Sequence, residues 1–419
     1  MMEMGKTPDE LYRERLKRTE DAIRLTVPDR VPFFPRLGFF ATRYAGLSHE
    51  EAMNSSDKWL AANRRVIMDL EPDIYSISEN PGKSWEAVDL KQMRWPGHGG
   101  PANSPYQFVD GEHLKADEYD AFLADPTDFL IRTYLPRIFG TLEPLQKLPS
   151  LQALFIGGYK GATSSSVFVE PAMLQAFESL YKAGVEARKA QQQLAATHEE
   201  LESQGFPRAF AGPNMFAPFD IVADMFRGIQ GAMMDMYRRP DKLLAMMDEI
   251  LPVQLKDGIA KTKKTDGISA IYIPLHFGAD GFMSAKQFET FYWPGLKGLM
   301  LGLIEAGLTP CPFLEGDFSS RLPYFAELPK GKTVLYFDST DLFRAKKIVG
   351  DRACIAGNMP LSLLQSGTPD QVREYSKKLI DVVGKDGGFI MTSRGGMDDA
   401  NPELVKVWAD FTKEYGVYR

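Results

Sequence analysis

The sequence predicts an α/β protein built as a single (β/α)8 barrel over residues 1–419. Three observations predict it. Apolar, β-rich runs alternate with longer stretches of helical period through to the C-terminus. No Pro/Gly/Ser-rich linker divides the chain. No GxGxxG or GxxxxGK(S/T) loop follows an early strand, as an open nucleotide-binding sheet would require.

The strand candidates are Val31–Leu37, Asp73–Ser78, Leu151–Gly157, Ala209–Pro213, Ser269–Leu275, Leu308–Leu314, Thr333–Phe337, Ala353–Ala356 and Gly388–Thr392. That is one more than a barrel needs. Helices are expected over His49–Leu70, Pro171–Leu201, Pro240–Thr262, Ala285–Glu305 and Pro369–Val383, the last opened by Thr368 as N-cap with proline behind it. Two insertions interrupt the alternation. The segment Glu170–Gln204 turns polar over its second half and is expected on the barrel surface. Ser84–Thr127 is loop-like, and a loop that long inside a compact domain belongs near an active-site mouth.

Composition narrows the function classes. A chain with 44% hydrophobic and 25% charged residues has ample material for a large core. Its net charge of −7 and its lack of a dense basic block, the short Lys261–Lys264 run aside, argue against a nucleic-acid partner. Cys311 and Cys354 have neither CxxC spacing nor the density of a disulfide scaffold, and read as reduced thiols. No signal-peptide core and no apolar run of spanning length occurs, so a cytoplasmic protein without membrane contact is expected. The oligomeric state stays open, with a homodimer as the candidate assembly.

In such a barrel, chemistry sits at the C-terminal strand ends, so polar residues just after each strand form the shortlist. His276, Glu315, Glu79 and Asp338 are the catalytic candidates; Arg36, Tyr159, Asn214, Asn358 and Arg394 are the substrate-binding candidates. His276 alone among the five histidines stands at a strand end, and imidazole serves both proton transfer and Zn²⁺ ligation. Glu315 and Asp317, two residues apart around Gly316, share one side if the chain is extended and suit a metal; the alternative is a loop held by its own hydrogen bonds. Arg36 and Arg394 can each clamp a carboxylate or pair with Glu79 and Asp338. Phe33, Phe34, Phe39, Phe40, Phe216 and Phe219 supply an aromatic stripe, partly mouth and partly core.

Five segments, in order, carry a resemblance: RTEDAIRLTVPDRVPFFP; GPNMFAPFDIVADMFRG with RRPDKLLAMMDEI; MSAKQFETFYWPGLKGLM; GNMPLSLLQSGTPDQVREYSKKLID; and GGFIMTSRGGMDDANPELVKVW. Together they resemble the uroporphyrinogen decarboxylase superfamily, which implies a distorted TIM-type barrel with one deep pocket. The RQAGRY-type arginine motif of the true decarboxylases is absent: the region reads FFPRLGFFATRYAG and keeps only Arg36 and Arg43. The family's pyrrole-binding aspartate corresponds to Glu79, and its C-terminal histidine is replaced around Ser393–Gly396.

The superfamily's other branch, the zinc-dependent corrinoid methyltransferases, carries an HxC motif whose positions here are Phe313 and Glu315, and no cysteine stands near Arg394. The resemblance therefore implies a methyltransferase that demethylates a small O-methylated substrate and passes the methyl group to a corrinoid on a partner protein, with His276 and Glu315 as candidate zinc ligands. A decarboxylase acting on a smaller carboxylated substrate is the alternative.

Overall fold

The structure, a computed structural model, describes residues 5–262 and 268–419, so the Lys261–Lys264 run lies partly outside the described residues. Six parallel strands form its central sheet: β1 (Phe33–Phe34), β2 (Ala270–Leu275), β3 (Thr309–Leu314), β4 (Val334–Phe337), β5 (Cys354–Met359) and β6 (Phe389–Ser393). Their spatial order is β1-β6-β5-β4-β3-β2, so the first strand lies beside the last, with Phe33 opposite Met391.

Two extended segments span the remaining arc. Asp73 N donates to Phe33 O at 3.0 Å, Tyr75 and Arg208 form a single parallel bridge, and Ala211 N donates to Ala270 O at 3.0 Å. The chain thus passes eight times around one ring, although the ladder is continuous only over the six strands. This corrects one expected strand. Leu151–Phe155 is a helical turn capped by Ser150, whose side chain accepts from Ala153 N; an apolar run beside two glycines suits either state, and the Ser cap decides it.

Strand alternation sorts the core into two layers. On β2, Ala270 and Tyr272 point inward while Ile271, Ile273 and Leu275 face the helices. Cys311, Phe313, Tyr336, Cys354 and Ile390 fill the interior with Tyr272, and both cysteines are free and buried there. Phe33, Phe40 and Phe219 belong to the outer core, which removes them from the expected aromatic mouth.

The expected helices form with small changes. His49–Leu70 breaks at Ser55, which caps the helix Ser56–Leu70. Thr368 and Gln371 form a capping box on Pro369–Val382. Ser84–Thr127 holds a small three-stranded sheet of Met93–Pro96, Gly99–Gly100 and Gln107–Phe108. Among the described residues no helix is long and apolar enough to cross a membrane.

Candidate active site

His276 follows β2 immediately, and three carboxylates define its surroundings. Asp224 Oδ2 accepts from His276 Nδ1 at 2.6 Å. The buried Asp220 accepts from the backbone N–H groups of His276 (3.0 Å) and Phe277 (3.2 Å) and from the Tyr292 hydroxyl at 2.7 Å. His276 Nε2 lies 4.0 Å from Glu315 Oε2.

The helical segments that deliver these partners are irregular. Asp224 sits in a π-helical stretch, Val222–Arg227, and Tyr292 ends another, Phe288–Tyr292. Such widened turns occur where a side chain is re-aimed toward a site. Asp220 and Asp224, four residues apart, thereby reach the same histidine from its backbone and its ring.

This environment fixes the charge of the imidazole. Burial disfavours the cation, but the Asp224 hydrogen bond and the charges of Asp220, Asp224 and Glu315 outweigh it, and the His276 pKa rises to about 9. Burial pushes Asp220 up to about 7 against the pull of the donors around it. Glu315 is also raised by partial burial, with His276 pulling the other way and Asp338 adding to the rise. Near neutrality His276 is an imidazolium with Nδ1–H committed to Asp224 and Nε2–H directed toward Glu315 and the mouth.

Glu315 is placed by a turn that needs glycine. Gly316 has φ +90°, and a Cβ there would come within 3.1 Å of Ala279. Gly316 N donates to Asp338 Oδ2 at 3.0 Å, which ties the ends of β3 and β4 together and puts Asp338 behind Glu315. Asp317 turns away into its own loop, accepting from the Ser319 N–H and hydroxyl.

Arg36 lies across the floor of the mouth. Its guanidinium stacks 4.3 Å from the Tyr272 ring centroid and 5.9 Å from that of Tyr336, and among the described residues no carboxylate lies within ion-pair distance of it. Tyr106, from the small-sheet insertion, packs edge-on to Phe39 and Trp85 and stands close enough to Arg36 and Asp398 to feel both charges. The insertion therefore reaches the mouth, as its length suggested. Phe216 presents its ring to His276 at 6.4 Å.

The other candidates have different surroundings. Asn358 donates to the Asp338 and Thr340 carbonyls and accepts from Tyr375, so it braces the loop after β4. Arg394 interacts with Tyr375, on the outer helix Pro369–Val382, and leaves a buried Nε unpaired. Glu79 and Asn214 are exposed. Tyr159, expected at a strand end, sits in a 3-10 turn and is 85% exposed, because the strand expected before it is a helix. Asp220, Asp224 and Tyr292 were missed; a pair of carboxylates four apart in the apolar stretch PFDIVADMF was the available signal.

Catalytic zinc takes three protein ligands and keeps a fourth position open. Here His276 Nε2 and Glu315 supply two donors, Asp224 is engaged on Nδ1, and among the described residues no three His, Cys, Asp or Glu side chains group to hold a metal ion. This donor set does not fit a resident zinc. A cleft of about 630 Å³ between Gly140–Lys147 and Ala172–Ser179 shares no residue with the mouth.

The ring of strands and the charged cluster at their C-terminal ends define an α/β barrel of the enzyme type. The chain belongs to the uroporphyrinogen decarboxylase family: the family described as "Uroporphyrinogen decarboxylase (URO-D)" matches residues 167–415, more than half of its length. Relatives include the uroporphyrinogen decarboxylase of Chlorobium phaeobacteroides, 33% identical over 81 residues, and that of Chlorobium phaeovibrioides, 31% identical over 78 residues. These alignments take in 18% of this chain and 23% and 22% of those proteins, so the chain spans less than a quarter of the length of the curated relatives it matches. Among solved structures, a methyltransferase from Methanosarcina mazei superposes with a TM-score of 0.59 at 14% identity, covering 96% of this chain and 98% of that one, a likeness of fold.

Proposed function

We propose that this protein is a methyltransferase that takes the methyl group from a small O-methylated substrate and passes it to a corrinoid on a partner protein. The observation that carries the reading is His276, held as a cation by Asp224 and Asp220 with Nε2–H free to face the mouth. Breaking an O–CH₃ bond leaves negative charge on oxygen, and a proton donor within hydrogen-bond reach of that oxygen lowers the barrier. The corrinoid, when its carrier is docked, supplies the nucleophile for the methyl carbon.

The chain's own residues do the rest. His276 Nε2–H gives its proton to the departing oxygen as the C–O bond breaks, Asp224 stabilises the ring throughout, and solvent restores the proton. Glu315 raises the basicity of His276 and is positioned to accept a hydrogen bond from a polar substrate group. Arg36, which has no carboxylate partner among the described residues, holds an anionic end of the substrate, with Phe216 against its apolar body. The Glu315 side chain is 57% exposed, so the mouth is open to an acceptor too large to enter the barrel.

The test is spectroscopic. Purified protein is mixed with cob(I)alamin and methoxylated aromatic carboxylates, and loss of the cob(I)alamin spectrum is followed. Methylation that requires both protein and methoxy compound is the expected result. Coproporphyrinogen formed from uroporphyrinogen, or CO₂ released from the same carboxylates, would favour the decarboxylase alternative, in which Arg36 holds the departing carboxylate and His276 protonates the carbanion.

A further inference from the structure

The mouth has a second pair of charges, on the side where the first and last strands meet. The loops after β1 and β6 are stapled to each other there: Met397 N donates to Arg36 O at 3.1 Å, and Phe39 N donates to Asp398 Oδ1 at 2.6 Å. Glycine makes the second staple possible, since Gly38 has φ +54° and a Cβ on it would run into the Asp398 carboxylate. The two crossings hold Arg36 and Asp398 in a fixed relation, near enough to feel each other's charge, and Tyr106 lies within the same electrostatic reach of both.

These two charges are neighbours without being partners. Each is detained by another contact: the Arg36 guanidinium by the Tyr272 ring, 4.3 Å from its centroid, and Asp398 Oδ1 by the Phe39 N–H. Among the described residues no ion pair joins them, and Asp398 Oδ2 accepts no hydrogen bond. The nearby cations do not fill the gap. Arg43 turns to Asp399 Oδ1, 3.0 Å away, and burial holds the His49 pKa below the usual histidine value, so that ring is neutral near pH 7. Burial also raises the Asp398 carboxyl above its ordinary value, with the Phe39 N–H, His49 and Arg36 pulling the other way, the condition of a carboxylate short of donors. A half-buried cation and anion held side by side, but apart, fit a ligand that pairs with both.

We infer that Asp398 is a specificity-determining residue, and that the substrate carries a hydrogen-bond donor, a hydroxyl or an ammonium, on the carbon next to the carboxylate that Arg36 holds. The inference rests on the reading that Arg36 binds the substrate's anionic end. The donor lies against Asp398 Oδ2 while the carboxylate lies against the guanidinium, so one end of the ligand satisfies both charges. A plain carboxylate satisfies Arg36 alone and brings its own charge towards Asp398, and the site disfavours it.

Calorimetric titration of the full-length protein with acids of one skeleton tests this. Phenylacetate is the plain acid, mandelate adds a hydroxyl beside the carboxylate, and phenylglycine adds an ammonium. Mandelate or phenylglycine is expected to bind the wild type at least about tenfold more tightly than phenylacetate. Asp398→Asn, whose amide oxygen can keep the Phe39 staple, is expected to abolish that preference and to bind phenylacetate no more weakly. Equal affinities for the three acids overturn the inference, as does a failure of all three to bind at millimolar concentration. A preference that survives Asp398→Asn overturns it equally. Should the variant fail to fold, O-acetylmandelate decides with the wild type: affinity at the phenylacetate level supports the inference, and affinity at the mandelate level refutes it. Because binding is read without turnover, a donor preference in a protein that methylates no cob(I)alamin leaves the role of Asp398 standing and removes the methyl-transfer reading alone.

Discussion

Asp224 accepts the Nδ1 proton of His276 at 2.6 Å and thereby aims Nε2 at Glu315, 4.0 Å away. The pair makes a pH prediction. The folded His276 pKa, about 9, lies above the usual histidine value of 6.5, so its contribution to stability is complete below that value and is lost as pH rises through 9. Methyl transfer should hold through neutrality and fall above about 9. In Asp224→Asn the alkaline limb should move down by about one unit or more, because a neutral amide no longer favours the imidazolium. A pH–kcat profile reads the shift, and an unmoved limb would detach Asp224 from the chemistry.

Removing the proton donor itself should cost more. His276→Gln is expected to lower kcat by ~10²–10⁴-fold, and Glu315→Gln, which removes a charge that lifts His276 and weakens an acceptor for the substrate, by about tenfold. The double variant should be little worse than His276→Gln, since the two act as a unit. Zinc content should be far below one per chain in the wild type and unchanged in both variants. Stoichiometric zinc that disappears with His276→Gln would restore the metal role for this pair.

Arg36 should trade stability for binding. A cation stacked on Tyr272 without a carboxylate partner is costly to bury, so Arg36→Met is expected to stabilise the fold by about 1 kcal/mol or more. The same change should raise KM for a carboxylated substrate by about 10–100-fold and leave a neutral methoxy substrate nearly unaffected. Thermal melts and paired KM values test both halves. A loss of stability would mean that Arg36 is a structural strut.

Asp73 makes the complementary case. It accepts from Arg18 at 2.6 Å, from Arg30 at 2.7 and 2.8 Å, and from Phe33 N at 2.7 Å. Burial raises its pKa, but Arg30 and Arg18 outweigh that and hold it below the usual value. Its contribution to stability is therefore present above the unfolded carboxylate value and lost as pH falls through the lower folded one. Asp73→Asn should cost ~3–5 kcal/mol in urea unfolding near neutral pH, with a shallower acid limb. A change within about 1 kcal/mol would show the network to be dispensable.

What was legible in the chain follows from where the physics is local. The strands from Ser269 onward could be read because each buries nearly every residue, and their ends delivered His276, Glu315 and Asp338 to one mouth. Asn358 and Arg394 also follow strands, yet Tyr375 of an outer helix engages both, and no strand pattern encodes that packing. Asp220 and Asp224 escaped because they lie on a helical segment widened to π geometry, so no strand-end rule reaches them. The run at Leu151 misled because it is apolar without being core. Apolar runs normally report burial in the fold, whereas Leu151, Phe155 and Ile156 of this one stay exposed.

The pairing of Phe33 with Met391 also bears on the order of folding. The first strand finds its ladder partner only in the last, some 360 residues further on, and on its other side rests on a single main-chain bond and the Asp73 side chain. A chain emerging from the ribosome can build the β2-to-β5 staircase as it appears, each strand docking beside its predecessor, but β1 must wait until β6 has been made. Until then the Phe33–Phe34 edge that faces β6 has no ladder partner, an open strand edge of the kind that can pair with another chain.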